Sequence, residues 1–410
     1  MNTVVSGTGA TAEPLMMATA RPVRRVLHVF HSLGVGGAET WLIALLEWLA
    51  QHGPSLPVEV QVDVCLTSGE RAILDDRARA LGATLHYLRY GREHLAKFRK
   101  DFRNLLAAGH YDAIHDHADY AGGLHLLLGV GRLPAARVVH VHNPFATFGD
   151  APAKRLARLI GRAAVKRLAT TVAGTSMRIL RDYDLAPDVN TDQRRVALHC
   201  GFDLAPYTED AFEARAAIRT EFEWDPSAKL LLFVGRLESH FNQKNPRFAL
   251  ETAREAISRD PSVRALLVGS GDDAREQIER ELTEQGLASA IRLPGIRFDV
   301  PRLMLASDLL LFPSIAEGLG MVVVEAQAAG LRVIASDTTP KECEVVPGLV
   351  TFASLEETPQ RWAERAGALL AAPAPDRDTA RALVQRSPFS IDSSAMALMH
   401  AYGFIPVSRS

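Results

Sequence analysis

The sequence predicts an α/β protein built as two doubly wound domains facing each other across a cleft, and three observations carry that expectation. The chain has 410 residues, whereas a single hydrophobic core stops growing at about 250 to 300, so two domains are the default. Short apolar runs alternate with amphipathic helical stretches from end to end. That is the pattern of parallel strands covered by helices on both faces. The rhythm then restarts midway, past a cluster of Gly, Asp and Pro around Asp203–Pro206.

In the first half the strand candidates are Val26–Phe30, Val60–Leu66, Thr84–Leu88, Ala113–His117, Val138–His142 and Thr170–Ala173. In the second they are Leu230–Val234, Ala265–Val268, Ile291–Leu293, Leu309–Pro313 and Val333–Ser336, with helices such as Pro246–Ser258 and Arg275–Gln285 between them. The expected organisation is a loose tail over 1–22, a first domain over 23–204 and a second over 205–388. Met1–Pro22 is rich in Thr, Ala and Gly and lacks the charged start and continuous apolar core of a secretory signal. No run of about 18 apolar residues occurs, so no membrane span is expected.

Composition narrows the function. At 47% hydrophobic and 23% charged the chain has enough apolar surface for two cores. Its net charge of -2 gives no general pull toward nucleic acid, so any bound anion must be held by a local site. Cys65, Cys200 and Cys343 are too scattered for a disulfide framework or a metal knot, which fits a reducing cytoplasm.

In open α/β sheets ligands sit outside the carboxyl ends of the strands, so residues just after each apolar run are the site candidates. The first group is Gly34-Val35-Gly36-Gly37-Ala38-Glu39, ahead of a helix with Leu42, Leu45, Leu46 and Leu49 at helical spacing. Glycines here let a phosphate approach backbone N–H groups at the positive helix end, or simply make a tight turn. The second is Gly235-Arg236, with Lys244 closing the loop Ser239-His240-Phe241-Asn242-Gln243-Lys244. Two cations at a strand mouth can neutralise a diphosphate leaving group with neither metal nor cofactor; the bland alternative is a pair of solvated surface cations.

The most specific feature is the run from Ser314 to Glu325, which follows the buried strand Leu309–Pro313. Gly318 and Gly320 loosen the turn on either side of Leu319, and free N–H groups near Gly320 and Met321 point at phosphate oxygens. Carboxylates repel a diphosphate, so Glu317 and Glu325 are expected to meet hydroxyls, of the transferred sugar and of a ribose respectively. Two unrelated glutamates are the alternative, but Val324, Ala326 and Ala329 surround Glu325 with an apolar helix.

Two histidine strings, His115-Asp116-His117-Ala118-Asp119 and His140-Val141-His142-Asn143-Pro144, end neighbouring runs. Strand alternation puts His115 with His117 on one face and His140 with His142 on one face. They line a sugar or acceptor site, or they are satisfied core histidines; His31, His117 and Asn143 are the acceptor-side candidates. A rival class follows from the same string, since His115, His117 and Asp119 have the spacing of ligands in a metal-dependent hydrolase. Asp376-Arg377-Asp378 opens a helix and is expected to cap it rather than hold a metal. Lys154–Leu168 is a basic amphipathic helix without an acidic residue, suited to an anionic membrane surface or to packing on the first domain.

With these motifs in order, the chain from about Val26 to Tyr402 resembles the family-4 retaining glycosyltransferases of GT-B fold, especially bacterial members that assemble exopolysaccharide or lipopolysaccharide. Glu317 to Glu325 is similar to the family's Glu-x7-Glu signature, and Gly235-Arg236 with Lys244 to its donor-phosphate cations. The resemblance implies two Rossmann-like domains, the first binding acceptor and completed by a closing helix within 389–404, the second binding donor. It implies that Gly36 and Gly37 face the donor phosphates, that His142 contacts the donor sugar, that Glu317 binds it and that Glu325 binds the ribose. The backbone around Ile296 and Arg297 would meet the base. His142, Glu317, Arg236 and Lys244 become the catalytic set, with a UDP- or GDP-sugar as donor and a glycan or lipid-linked acceptor. A cytoplasmic enzyme, peripheral to the inner face of the membrane and without a nucleic-acid partner, is expected. A non-catalytic nucleotide-sugar sensor shares the same donor site. Where many relatives carry Pro-Asn-Gly-Ile-Asp, this chain has His199-Cys200-Gly201-Phe202-Asp203.

Overall fold

The computed structural model describes residues 21–144, 152–185, 195–237 and 243–406. Residues 1–20 of the expected tail and Ser239–Asn242 of the second-domain loop lie outside the described residues.

Seven strands form the first sheet: β1 (Val23–Phe30), β2 (Glu59–Leu66), β3 (Thr84–Tyr87), β4 (Ala113–Asp116), β5 (Ala136–Val141), β6 (Thr171–Gly174) and β7 (Arg195–Ala197). All pair in parallel, in the order β3-β2-β1-β4-β5-β6-β7. The helices of this half are α1 (Gly37–His52), α2 (Asp75–Ala80), α3 (Leu95–Gly109), α4 (Tyr120–Gly129), α5 (Pro152–Leu168) and α6 (Met177–Asp182). After α7 (Ala211–Glu221) a second parallel sheet is built from β8 (Lys229–Val234), β9 (Val263–Val268), β10 (Ile291–Gly295), β11 (Leu309–Phe312), β12 (Arg332–Ser336) and β13 (Val350–Ala353). Its order is β10-β9-β8-β11-β12-β13. Its connecting helices are α8 (Pro246–Arg259), α9 (Asp272–Glu284), α10 (Val300–Ala306) and α11 (Met321–Ala328), followed by α12 (Pro359–Ala371), α13 (Arg377–Gln385) and α14 (Ile391–Ala401).

Each sheet is buried on both faces, which is why its strands read as continuous apolar runs rather than alternating ones. On β1, Val26 and Phe30 enter one core cluster while Leu27 and Val29 enter another. On β8, Leu230 and Leu232 face one cluster and Leu231 and Phe233 the other. The change from one sheet to the next falls between Ala197 and Lys229, a span that contains Asp203–Pro206.

Strand order reverses at β1/β4 in the first sheet and at β8/β11 in the second. Connections leave such neighbours in opposite directions and open a crevice at their carboxyl ends. The histidine strings, Gly235-Arg236 and the Ser314–Gly320 loop all follow strands at or beside these two switch points.

α14 crosses back onto the first sheet's helices. Trp41 Nε1 on α1 donates to Ser394 Oγ at 2.9 Å and Trp48 Nε1 to Asp392 Oδ1 at 2.8 Å. Leu398, Met399 and Tyr402 complete the same core cluster as Trp41 and Leu45. Asp376 caps α13, accepting from the amides of Asp378 and Thr379 at 3.1 and 3.2 Å, so the Asp-x-Asp spacing serves the helix start. Among the described residues no helix is long and apolar enough to cross a membrane.

Candidate active site

The wall contributed by the second sheet is ionic. Lys244 Nζ lies 2.6 Å from Glu317 Oε1, and the Ser314 hydroxyl donates to the same carboxylate. The pair is stapled in place by the loop around it: Ile315 N donates to the Gln243 carbonyl at 2.7 Å, and Gln243 Nε2 to the Ala316 carbonyl at 2.6 Å. Lys244 Nζ also stands 5.2 Å from the centre of the Phe312 ring, a cation–π contact that helps hold the ammonium in a partly dry place. Glu317 is 7% exposed, so this pair is hydrogen-bonded because an unpaired charge there would be costly.

Gly320 enters α11 with φ 90 and ψ 56, a left-handed conformation open to glycine. The turn leaves the first N–H groups of α11 without a side-chain cap, the arrangement that receives an anion. Glu325 is half-buried on the same helix. Burial pushes its carboxyl up to about 7, against a partial downward pull from Lys244. Arg236 is exposed at the end of β8. Arg297 points its side chain into a fork with Asp299 and Glu221, between the exposed side chains of Ile296 and Phe298.

The wall contributed by the first sheet is made of neutral rings. His142 Nε2 lies 3.1 Å from His117 Nδ1, and His117 Nε2 lies 3.1 Å from His28 Nδ1. Farther in, the Tyr402 hydroxyl joins His28 Nε2 at 3.3 Å and His115 Nδ1 at 2.7 Å, and His115 Nε2 meets His140 Nδ1 at 3.2 Å. Parallel register causes this alignment: His28 pairs with His115 across β1 and β4, and alternation carries every second residue to the same face. Phe30 stacks on His117 with ring centres 4.1 Å apart, and the Trp41 ring stands edge-on to His115. Burial lowers His28 to about 3 and His142 to about 4, and lowers His115, His117 and His140 well below the ordinary histidine value.

Asp119 positions the mouth of this wall. Its carboxylate accepts from the His142 amide at 2.6 Å, the Asn143 amide at 3.2 Å and Asn143 Nδ2 at 3.0 Å. Burial raises it to about 6, partly offset by these bonds. Its φ of 55 is strained for a non-glycine residue.

The two walls touch. The Ser176 hydroxyl at the start of α6 donates to the Gly318 carbonyl at 2.7 Å. A Cβ on Gly318 would overlap the His142 carbonyl oxygen and come within 2.8 Å of Thr175 Oγ1. Around this contact, Met177 N donates to Glu342 at 3.1 Å and Arg178 Nη1 to the Thr338 carbonyl at 2.8 Å. Glu39 on α1 folds back to accept from its own amide at the helix start and feels Arg236 of the opposite wall; burial still leaves its carboxyl above the usual range.

The structure thus brings His142, His117, Asn143, Glu317, Lys244, Gly318, Leu319, Gly320, Met321 and Glu325 to the facing ends of the two sheets. Gly36 and Gly37 stand at the start of α1 beside Glu39. His31 is exposed at the end of β1. His115 and His140 are fully buried, so of the histidine pairs only the outer member reaches the cleft. Two trios, His28/His115/His117 and His117/His140/His142, have ring nitrogens within 4.8 Å of one another. A metal there would have to displace the hydrogen bonds that the rings make to each other. The hydrolase set His115/His117/Asp119 is not assembled, because the Asp119 carboxylate is turned to the backbone of residues 142 and 143. Sequence reasoning missed His28 and Tyr402. Strand alternation toward Phe30 was a signal for the first; nothing local marked the second.

Known proteins resemble this chain in sequence and in fold. Residues 35–203 match the glycosyltransferase family 4 profile and residues 228–372 the profile of glycosyl transferases group 1. EpsF of Bacillus subtilis (strain 168), which carries a glycosyltransferase name, is 29% identical over 385 residues, covering 92% of this chain and 96% of the relative. A D-inositol 3-phosphate glycosyltransferase of Streptomyces griseus subsp. griseus is 26% identical, over 96% of this chain and 90% of its own length. Among solved structures, HepE from Anabaena in complex with UDP and glucose superposes with a TM-score of 0.72 at 18% identity, over 93% of this chain and 99% of that one. WaaG, a glycosyltransferase involved in lipopolysaccharide biosynthesis, reaches 0.65 at 18% identity, over 92% and 100%. Matched by both profiles in sequence and by GT-B enzymes in fold, the chain belongs to the family-4 glycosyltransferases.

Proposed function

We propose that the enzyme moves a hexose-type sugar, with retention at the anomeric carbon, from a UDP- or GDP-sugar to a glycan or lipid-linked acceptor in bacterial surface polysaccharide synthesis. The observation that carries this reading is the Lys244–Glu317 pair at the uncapped start of α11, set against His142 of the other sheet. Arg236, Lys244 and the α11 N–H groups stabilise the departing diphosphate, and Glu317 with His142 holds the sugar. Glu325 accepts from the ribose hydroxyls, and the backbone at Ile296 and Arg297 meets the base. Gly36 and Gly37 approach the phosphates from the other side, while His31, His117 and Asn143 lie toward the acceptor. The acceptor hydroxyl attacks the face the diphosphate leaves, and the leaving phosphate takes its proton. The protein's part is then positioning and exclusion of water.

In this reading residues 23–204 with 389–404 form the acceptor domain and 205–388 the donor domain. The binding of UDP and glucose by HepE supports a nucleotide-sugar donor. α5 supports contact with the inner membrane face: Leu156, Leu159 and Ile160 are exposed among its lysines and arginines.

A thermal-shift panel of UDP-, GDP- and ADP-sugars tests the donor. The matching one at 100 times its Kd adds about 2.7 kcal/mol of apparent stability, and the others add little. Glu317→Ala and Arg236→Ala then abolish transfer in folded protein. Full activity in both variants overturns the assignment.

A further inference from the structure

His142 ends a continuous hydrogen-bonded chain of six groups, His142–His117–His28–Tyr402–His115–His140, joined at 3.1, 3.1, 3.3, 2.7 and 3.2 Å. A neutral imidazole has one N–H and one bare nitrogen, and a phenol has one O–H to give. Each link therefore holds a single proton, and the donor at one link makes its owner the acceptor at the next. Only two fully bonded arrangements exist: every ring protonated at Nε2, or every ring protonated at Nδ1. Burial keeps all five rings neutral, so a doubly protonated ring does not break the rule.

The geometry at Tyr402 chooses the direction. The Tyr402 oxygen is closer to His115 Nδ1, at 2.7 Å, than to His28 Nε2, at 3.3 Å. The shorter contact is the one expected of an O–H donor, so Tyr402 gives its proton to His115 and accepts from His28. That choice requires protons on Nε2 throughout, and it leaves His140 Nε2, which is buried without a hydrogen-bond partner, at the inner end of the chain.

We propose that Tyr402, His28, His115, His117 and His140 act together as a positioning relay that holds His142 as its Nε2–H tautomer, presenting Nδ1 to the donor sugar as a hydrogen-bond acceptor. The group it selects is a sugar hydroxyl that donates; an ether or a deoxy carbon at that place is rejected. This deepens the function proposed above and rests on it for the ligand, but not for the tautomer. Asp119 supports the arrangement by fixing the His142 backbone.

The test is ring 1H–15N correlation NMR on the full chain labelled with 15N-histidine, with no sugar added. The expected spectrum shows His28, His115, His117, His140 and His142 neutral and protonated at Nε2. Protonation of His142 at Nδ1, or an even mixture, overturns the relay. This wild-type spectrum decides the matter even if a variant fails to fold. Tyr402→Phe cuts the chain in the middle and releases His142 to a mixture of tautomers; an unchanged His142 signal overturns the relay. Phe404→Leu, in the same core cluster but outside the chain, leaves all five rings as they were.

A second arm reads the ligand. In Tyr402→Phe, kcat for the preferred nucleotide sugar falls about 10- to 100-fold, and the preference for the free hydroxyl over its methyl ether shrinks. If the spectrum is as expected but no nucleotide sugar binds, the tautomer stands and the sugar is overturned as its ligand.

Discussion

The two walls of the cleft solve the same problem by opposite means. The first-sheet wall is built of neutral rings bonded to one another, buried except at its His142 end, with the Asp119 carboxylate turned to the backbone at its mouth. The second-sheet wall keeps three ionisable groups, Lys244, Glu317 and Glu325, in partial dryness, with one cation between two carboxylates. A neutral network is ordered before any ligand arrives, because each ring is bonded to the next. An ionic one is held in tension, and a ligand of the right charge relaxes it. The comparison teaches that orientation is supplied by one sheet and charge by the other.

The sharpest way to break that division is Glu317→Ala, which removes the buried acid and leaves Lys244 unmatched. Transfer is abolished in initial-rate assays, a loss of at least about a thousandfold, while the histidine resonances of the other wall stay put. Next in size is Gly318→Ala, whose Cβ must push the His142 carbonyl away. It lowers kcat about a hundredfold by displacing reacting groups roughly 1 Å, with both sheets still folded by circular dichroism.

Glu325→Gln sharpens the electrostatic half. Glu325 titrates near 7 in the folded protein against 4.5 for an ordinary glutamate. The folded state therefore holds its proton more tightly, and stability from this group is greatest below pH 4.5 and lost as pH rises toward 7. The glutamine variant is more stable than the parent by about 1 to 3 kcal/mol at pH 8 in urea titrations, a gap that closes by pH 4.5. On the ribose contact proposed for Glu325, donor affinity of the parent weakens as pH falls below 7, because protonation takes away an acceptor position. The smallest effect is Ser176→Ala, which removes the bond to the Gly318 carbonyl. It costs about 1 kcal/mol, or about fivefold in kcat.

Long central strands were legible because burial on both faces leaves a run of apolar residues with nothing to interrupt it. β7 and β13 were not. They are edge strands of three and four residues, too short for a pattern and flanked by turn residues such as Pro347 and Gly348. Glu325 could be read as half-buried from its apolar helix neighbours. The Lys244–Glu317 bond could not, since its partners stand 73 positions apart and only the β8/β11 pairing of the sheet brings them together. The histidine strings pointed to a site, but their joining into one chain depends on register between β1, β4 and β5 and on a tyrosine from α14. Such long-range arrangement leaves no mark in local sequence.

The crossing of α14 has a consequence for how the molecule comes into being. The strands of the first sheet end at Ala197, but Trp41 and Trp48 wait for Ser394 and Asp392. At a translation rate of roughly 5 to 20 residues per second, the first half leaves the ribosome on the order of 10 to 40 seconds before the helix that seals it. During that interval an apolar groove lies open along α1, and the second half matures beside an unfinished neighbour. Tyr402 arrives with the seal, so the proton order of the inner rings is among the last things the newborn chain acquires.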